Sequence, residues 1–241
     1  MKTVLVTGGT KGIGKAIALE FLKNGYEVVL NYCHDEQAAL ATQEEFNMQG
    51  FCSVLLRGDV SDPEQVENMF GEFFGIYEKL DVLVNNAGVS MVRVIQDTYP
   101  EDWDKVFGVN AKGTFNCCRA VVDKMIGNGG GSIINIASIW GEVGASCEVV
   151  YSASKGAVIA FTKALSKELA PSNVRVNCVS PGVIDTEMNS HLTPEELEEL
   201  IEKIPSGRIG QPEDVAKACV YLAEAEYVTG EVLSVGGGFG K

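Results

Sequence analysis

Thr3-Val-Leu-Val-Thr7, followed at once by Gly8-Gly-Thr-Lys-Gly-Ile-Gly14 and then Lys15-Ala-Ile-Ala-Leu-Glu-Phe-Leu-Lys23, is the stretch on which the fold turns. Five residues of high β-propensity read as a strand buried on both faces. The glycines break it sharply, and the apolar spacing that follows is helical. Gly8 permits a tight turn. Gly12 lets backbone approach a bulky anion, and Gly14 lets the helix pack close to the strand. The free N–H groups of the helix start then face whatever the loop cradles, and a phosphate suits them.

Outward from this unit the pattern repeats. Further strands are expected at Glu27–Asn31, Ser53–Arg57, Val82–Asn85, Ser132–Ala137, Arg175–Val179 and Val232–Val235. Helical patterns lie between them near 12–24, 36–49, 62–78, 101–126, 151–170 and 211–223. Strands that are apolar throughout, alternating with helices, predict an α/β fold. It is a doubly wound parallel sheet of the Rossmann type with right-handed crossovers. No Pro/Ser-rich linker interrupts residues 1–241, so one domain is expected. Helix punctuation agrees. Asp62 before Pro63 reads as a cap and a first-turn proline, Pro212 with Glu213 and Asp214 repeats the device, and Thr193-Pro-Glu-Glu196 opens a short extra helix through Lys203. That helix follows the sixth strand, where a lid over 186–204 is expected.

Composition narrows the partners. Lys plus Arg number 19 and Asp plus Glu 33, a net charge of −14, which disfavours nucleic acid and anionic membrane. Seven cysteines without a CxxC spacing argue against a disulfide framework and against a metal site. Cys147 as a nucleophile lacks a local base signature at His34 or His191. The chain passes from Met1-Lys2 into strand with no signal-peptide core, and a cytoplasmic location is expected.

The second strand should end at the ribose of a dinucleotide, roughly 20 residues beyond the loop. It reads Leu30-Asn31-Tyr32, without the acid that binds a ribose 2′-hydroxyl, while Lys11 stands in the glycine loop. NADP(H) is expected. Asp35 has the distance of a ribose acid, but it is read as the cap of the next helix.

These motifs and four others in order resemble the short-chain dehydrogenase/reductases along the whole chain. Thr7, Gly8, Gly12, Ile13 and Gly14 match the cofactor loop, and Asp59-Val60 the adenine contact. Asn85-Asn86-Ala87-Gly88 follows the fourth strand, and Pro181-Gly182-Val183-Ile184 with Thr186 the sixth. Asn110, Ser138, Tyr151 and Lys155 match the catalytic tetrad. The resemblance implies cofactor contacts at these loops, including Thr10, Lys11, Asn31 and Tyr32, and at Tyr151 and Lys155. Tyr151 and Lys155 are i and i+4 on one helix face. A free phenol, with a pKa near 10, gains acidity beside an ammonium and a cofactor cation. Tyr151 would then give a proton to a carbonyl oxygen, Ser138 would hydrogen-bond that oxygen, and Asn110 would hold a water that resupplies protons through Lys155.

Gly207-Arg-Ile-Gly-Gln-Pro-Glu213 is similar to β-ketoacyl-acyl-carrier-protein reductases. The docking arginines of that group align with Gly129 and Ser172, which carry no charge here. Ser138-Ile-Trp-Gly-Glu-Val-Gly-Ala-Ser-Cys-Glu-Val-Val-Tyr151 resembles the elongation factor P 5-aminopentanone reductases of Gram-positive bacteria. That resemblance implies a ketone next to an amine, carried on elongation factor P. Trp140, Glu142 and Glu148 suit an ammonium independently, through an aromatic face and two carboxylates. A homotetramer or homodimer is implied by the family. A cofactor-binding scaffold without catalysis is the other class, disfavoured by the intact tetrad.

Overall fold

The computed structural model describes residues 1–187 and 193–240. Seven parallel strands form one sheet in the order β3-β2-β1-β4-β5-β6-β7. They are β1 (Thr3–Val6), β2 (Glu27–Tyr32), β3 (Ser53–Arg57), β4 (Val82–Asn85), β5 (Gly131–Ile136), β6 (Val174–Pro181) and β7 (Val232–Val235). Helices α1 (Gly12–Lys23), α2 (Glu36–Met48), α3 (Pro63–Ile76), α4 (Pro100–Phe107) and α5 (Gly113–Gly127) are followed by α6 (Trp140–Val143), α7 (Val149–Leu169), α8 (Pro194–Glu202) and α9 (Pro212–Glu224).

Strand alternation feeds two cores. Val4 and Val6 of β1 pack with Phe21 and Phe46 on one face, under α1, α2 and α9. Leu5 packs with Phe70, Phe73 and Met125 on the other, under α3 and α5. A continuous apolar strand therefore has no solvent face, as expected of a doubly wound sheet. Each such side chain contributes about 1.5–3 kcal/mol on burial.

Residues chosen as caps behave as such. Asp62 accepts from Glu64 N at 3.0 Å, ahead of Pro63. Thr193 accepts from Glu196 N at 3.2 Å while Glu196 accepts from Thr193 N at 2.9 Å. The single helix expected over 101–126 is instead two. A π-helical turn over Gly108–Lys112 separates α4 from α5. The short helix α6 had no periodicity long enough to be read. No helix among the described residues is long and apolar enough to cross a membrane.

The strand order reverses between β1 and β4, each paired with the other in parallel register at Val4–Val82. Doubly wound sheets open a crevice beyond the carboxyl ends of their strands at this point. The glycine loop after β1 and the Asn85–Gly88 loop after β4 both stand there.

Candidate active site

Thr7 lashes the two loops together. Its hydroxyl oxygen accepts from Asn86 N and Ala87 N, both at 3.0 Å, and Asn86 Nδ2 donates to Thr7 O and Gly8 O at 3.0 and 3.1 Å. Gly8 takes φ +59°, open to glycine at little cost. A Cβ on Gly14 would overlap the Gly8 carbonyl and Asn86 Nδ2. Asn31, expected to touch the ribose, is buried and braces this loop instead. Its Oδ1 accepts from Gly8 N at 3.3 Å and its Nδ2 donates to Gly58 O at 2.9 Å. No side chain caps α1, unlike α2, α3 and α8. Its first-turn amides are therefore left for an anion from outside. Lys11 pairs with Asp35 at 2.5 Å, and Asp35 also accepts from Ala38 N at 3.0 Å as the cap of α2. Lys11 and Ala38 hold the Asp35 carboxyl below its ordinary pKa.

From this loop a cavity of about 790 Å³ runs to the ends of β5 and β6. Gly8, Lys11, Gly12, Ile13, Asn86, Ala87 and Gly88 line one end. Ser138, Trp140, Glu148, Tyr151 and Lys155 line the other, with Pro181, Gly182, Val183, Ile184 and Thr186 across from them. The lining does not include Thr10, Asn31, Tyr32, Asp59, Val60, Asn110 or Glu142. Glu142 is exposed on the outer side of α6, so only one of the two expected glutamates reaches the cavity. Val89, Ser90 and Val92 line it without having been singled out in the sequence, while Glu187 and Leu200 line it from within the span where a lid was expected. The three loop residues come just after Asn85–Gly88, which is the signal that would have found them. His191 and the part of the expected lid at 188–192 lie outside the described residues.

The four tetrad side chains come from three segments. Ser138 follows β5, Tyr151 and Lys155 lie on α7, and Asn110 sits in the π-helical turn. Lys155 is 4% exposed and donates from Nζ to Ile136 O at 2.8 Å. Burial pulls its ammonium down to about 8, because a desolvated cation is unfavourable. Tyr151 is 8% exposed. Burial and then Glu148 push its phenol up, to about 12, against a hydrogen bond from Ser138. The expectation that Lys155 lowers this pKa is corrected for the protein alone. Nζ stands 5.8 Å from the ring centroid and is directed at the Ile136 carbonyl. Asn110 spends its amide on protein. Oδ1 accepts from Val89 N, and Nδ2 donates to Val89 O and Ser154 Oγ, all at 2.9 Å. It ties the β4 loop to α7.

Beyond the ends of β2 and β3, Cys33, His34 and Asp59 bring ligand-type atoms within 4.8 Å of one another. Burial and Asp59 raise the Cys33 thiol to about 11, so it is held neutral, while Asp59 accepts from both Ser61 N and Ser61 Oγ. Four of the other cysteines, Cys117, Cys118, Cys178 and Cys219, are buried and behave as apolar filler, while Cys52 is exposed and Cys147 half-buried.

Fold and site together define a dinucleotide-type oxidoreductase, and comparison with known proteins gives its family. A family model described as enoyl-(acyl carrier protein) reductase matches residues 8–240. The chain belongs to the short-chain dehydrogenase/reductase family of oxidoreductases. It is 38% identical to the 3-oxoacyl-[acyl-carrier-protein] reductase of Staphylococcus aureus, over 98% of this chain and 97% of that one. It is also 38% identical to the uncharacterized oxidoreductase YmfI of Bacillus subtilis, over 99% of this chain and 98% of the other. A gluconate 5-dehydrogenase from Burkholderia cenocepacia, solved with NADP and tartrate, superposes with a TM-score of 0.93 at 33% identity. That match covers 98% of this chain and 94% of the other.

Proposed function

We propose that this enzyme reduces a ketone to a secondary alcohol with NADP(H), and that its substrate is the 5-aminopentanone adduct on a lysine of elongation factor P. The observation that carries the reductase reading is one continuous cavity. It joins an uncapped glycine-loop helix to Ser138, Tyr151 and Lys155. The cofactor is NADP(H). The loop fits it, since a Cβ at Gly14 would close the cradle and the α1 amides are free for phosphate. Lys11 stands near the ribose end, β2 ends without an acid, and the Burkholderia relative was solved with NADP. Bound here, the reduced cofactor supplies the hydride.

The chain's own residues then govern one proton and one developing charge. Tyr151 holds a proton on its phenol at neutral pH, ready for the carbonyl oxygen. Ser138 Oγ accepts from Trp140 N at 3.2 Å, which leaves its one proton to donate to the substrate oxygen once a ketone is bound. Lys155, held by Ile136 O, sets a positive charge below the phenol. Asn110 fixes the Val89 loop that closes this end, and its amide oxygen keeps a second lone pair for the water that would resupply protons through Lys155.

The substrate reading rests on the segment Ser138–Tyr151, on Glu148 and Trp140 in the cavity wall, and on neutral Gly129 and Ser172 where carrier-docking cations would stand. The alternative, 3-oxoacyl-acyl-carrier-protein reduction, is favoured by the Staphylococcus relative. A homotetramer or homodimer accords with exposed Phe115 and Val149 on α5 and α7. NADPH oxidation with ketone-modified elongation factor P, and separately with an acetoacetyl-carrier-protein thioester, decides between the substrates. Turnover of the thioester with none of the modified factor overturns the assignment.

A further inference from the structure

Residues 236–240 follow β7 and touch three of the pieces that bound the cavity: the loop after β6, the chain beyond α8, and α6. Gly182 of the cavity wall donates from N to Val235 O at 2.9 Å. A Cβ on Gly182 would stand 2.7 Å from Gly236 Cα, so the two backbones meet with no side chain between them. Ser206 follows α8, whose Leu200 lines the cavity, and donates from N to Gly237 O at 3.0 Å. Phe239 N closes the turn on Gly236 O at 2.9 Å. A Cβ on Gly240 would meet Ile139 at 2.9 Å, which puts this end of the segment against the start of α6.

A segment anchored at so many points delivers one ring to a fixed place. Phe239 is half-buried and lies against Trp140, with ring centroids 5.5 Å apart and planes at 72°. That is the edge-to-face geometry aromatic pairs prefer. Trp140 lines the cavity and Phe239 does not, so Phe239 backs the indole from outside.

The backbone and the side chain of Trp140 are held by different means. The backbone belongs to the catalytic end. Trp140 N donates to Ser138 Oγ at 3.2 Å, Ile139 N to Pro181 O at 2.9 Å, and Gly141 N to Ser138 O at 2.9 Å. A backbone so fixed does not carry the indole toward the cavity or away from it. Rotation about the side-chain bonds does, and staggered rotamers leave only a few places for the ring. Phe239 fills the space into which the indole would otherwise fall back. Without that ring the indole recedes, and the cavity widens by what it vacates.

We propose that Phe239 is a specificity-determining residue of this site: by holding the Trp140 indole against the cavity, it limits the bulk of the ketone substituent that lies on the Ser138–Trp140 side. The inference rests on the reductase reading above and deepens it. Phe239 is a positioning residue, since it acts through Trp140 and is not itself in the cavity wall.

The test measures kcat/KM with NADPH for two methyl ketones, butanone and acetophenone, which differ in the bulk of one substituent. Phe239→Ala raises the acetophenone-to-butanone ratio by about five-fold, the scale of one aromatic pair. Phe239→Tyr keeps the ring and the wild-type ratio. In a Trp140→Leu background, Phe239→Ala leaves the ratio where Trp140→Leu put it, because the group through which Phe239 acts is gone. A second measurement needs no turnover. The chain has two tryptophans, Trp103 and Trp140. In Trp103→Phe the indole emission is therefore that of Trp140, and adding Phe239→Ala opens it to quenching by acrylamide while Phe239→Tyr does not. A ratio unchanged in Phe239→Ala, or changed equally with and without Trp140, overturns the assignment and leaves ketone reduction standing. If the wild type reduces neither ketone, the reductase reading falls and the specificity role with it, and the quenching comparison still decides whether Phe239 holds the ring.

Discussion

Lys155→Met tests how much stability the site gives up for its ammonium. Methionine keeps the length and volume of the side chain and removes the charge. The Lys155 pKa falls from its ordinary 10.5 to about 8 because the group is buried, which corresponds to roughly 3 kcal/mol of unfavourable burial of the cation. The lost hydrogen bond to Ile136 O, 2.8 Å long, takes back about 1 kcal/mol. The variant should therefore be more stable than wild type by about 2 kcal/mol at pH 7 while losing turnover. The pH dependence carries a distinct sign. Below pH 8 both folded and unfolded wild type hold this proton, and the full penalty is present. Between about 8 and 10.5 the folded chain has released it and the unfolded chain has not, so wild-type stability from this group rises with pH. The advantage of Lys155→Met should shrink across that window, and other titrations cancel in the difference. Urea unfolding of both proteins at pH 7, 8, 9 and about 10 reads this directly. A variant no more stable than wild type at pH 7, with a difference flat in pH, would refute the reasoning.

Tyr151→Phe keeps the ring and removes the transferable proton, so turnover should fall by about 10²–10⁴-fold; NADPH binding followed by its fluorescence should persist, and wild-type kcat in the variant would remove Tyr151 from the chemistry. Gly14→Ala drives a methyl group into Gly8 O and Asn86 Nδ2, and the overpacking should destabilise the protein by about 1–3 kcal/mol and weaken cofactor binding, read by the urea midpoint and by titration. Asp35→Asn keeps an acceptor for Ala38 N while freeing Lys11 from its ion pair; NADPH should bind more tightly relative to NADH, and an unchanged ratio of the two dissociation constants would detach Lys11 from cofactor selection.

The strands were legible because each is short, apolar throughout and set off by polar or glycine residues. Ser53–Arg57, Val82–Asn85 and Val232–Val235 stand where the pattern put them. The caps at Asp35, Asp62 and Thr193 were legible because capping is local chemistry. What depended on distant contacts was less so. Asn31 looked like a ribose contact by position, but its amide is buried against Gly8 and Gly58 from other segments. Glu142 and Glu148 looked equivalent until α6 turned one outward. The Tyr151–Lys155 spacing predicted a shared helix face and said nothing of how burial acts on each charge. Nor could periodicity announce the π-helical turn, since one extra residue inside a long helical pattern resembles ordinary noise.

That turn has a consequence for how the protein tolerates change in length. An α-helix advances about 100° and about 1.5 Å per residue. Deleting a single residue between Gly108 and Lys112 would restore a regular helix, and it would rotate everything on one side of the deletion by that angle. Either Asn110 would swing away from Val89 and Ser154, or Cys117, Val121 and Met125 would leave the core they fill on α5. No regular helix satisfies both. The extra residue acts as a phase shifter between the site and the interior, so indels here are penalised in a stretch that looks, by composition, as replaceable as any surface helix.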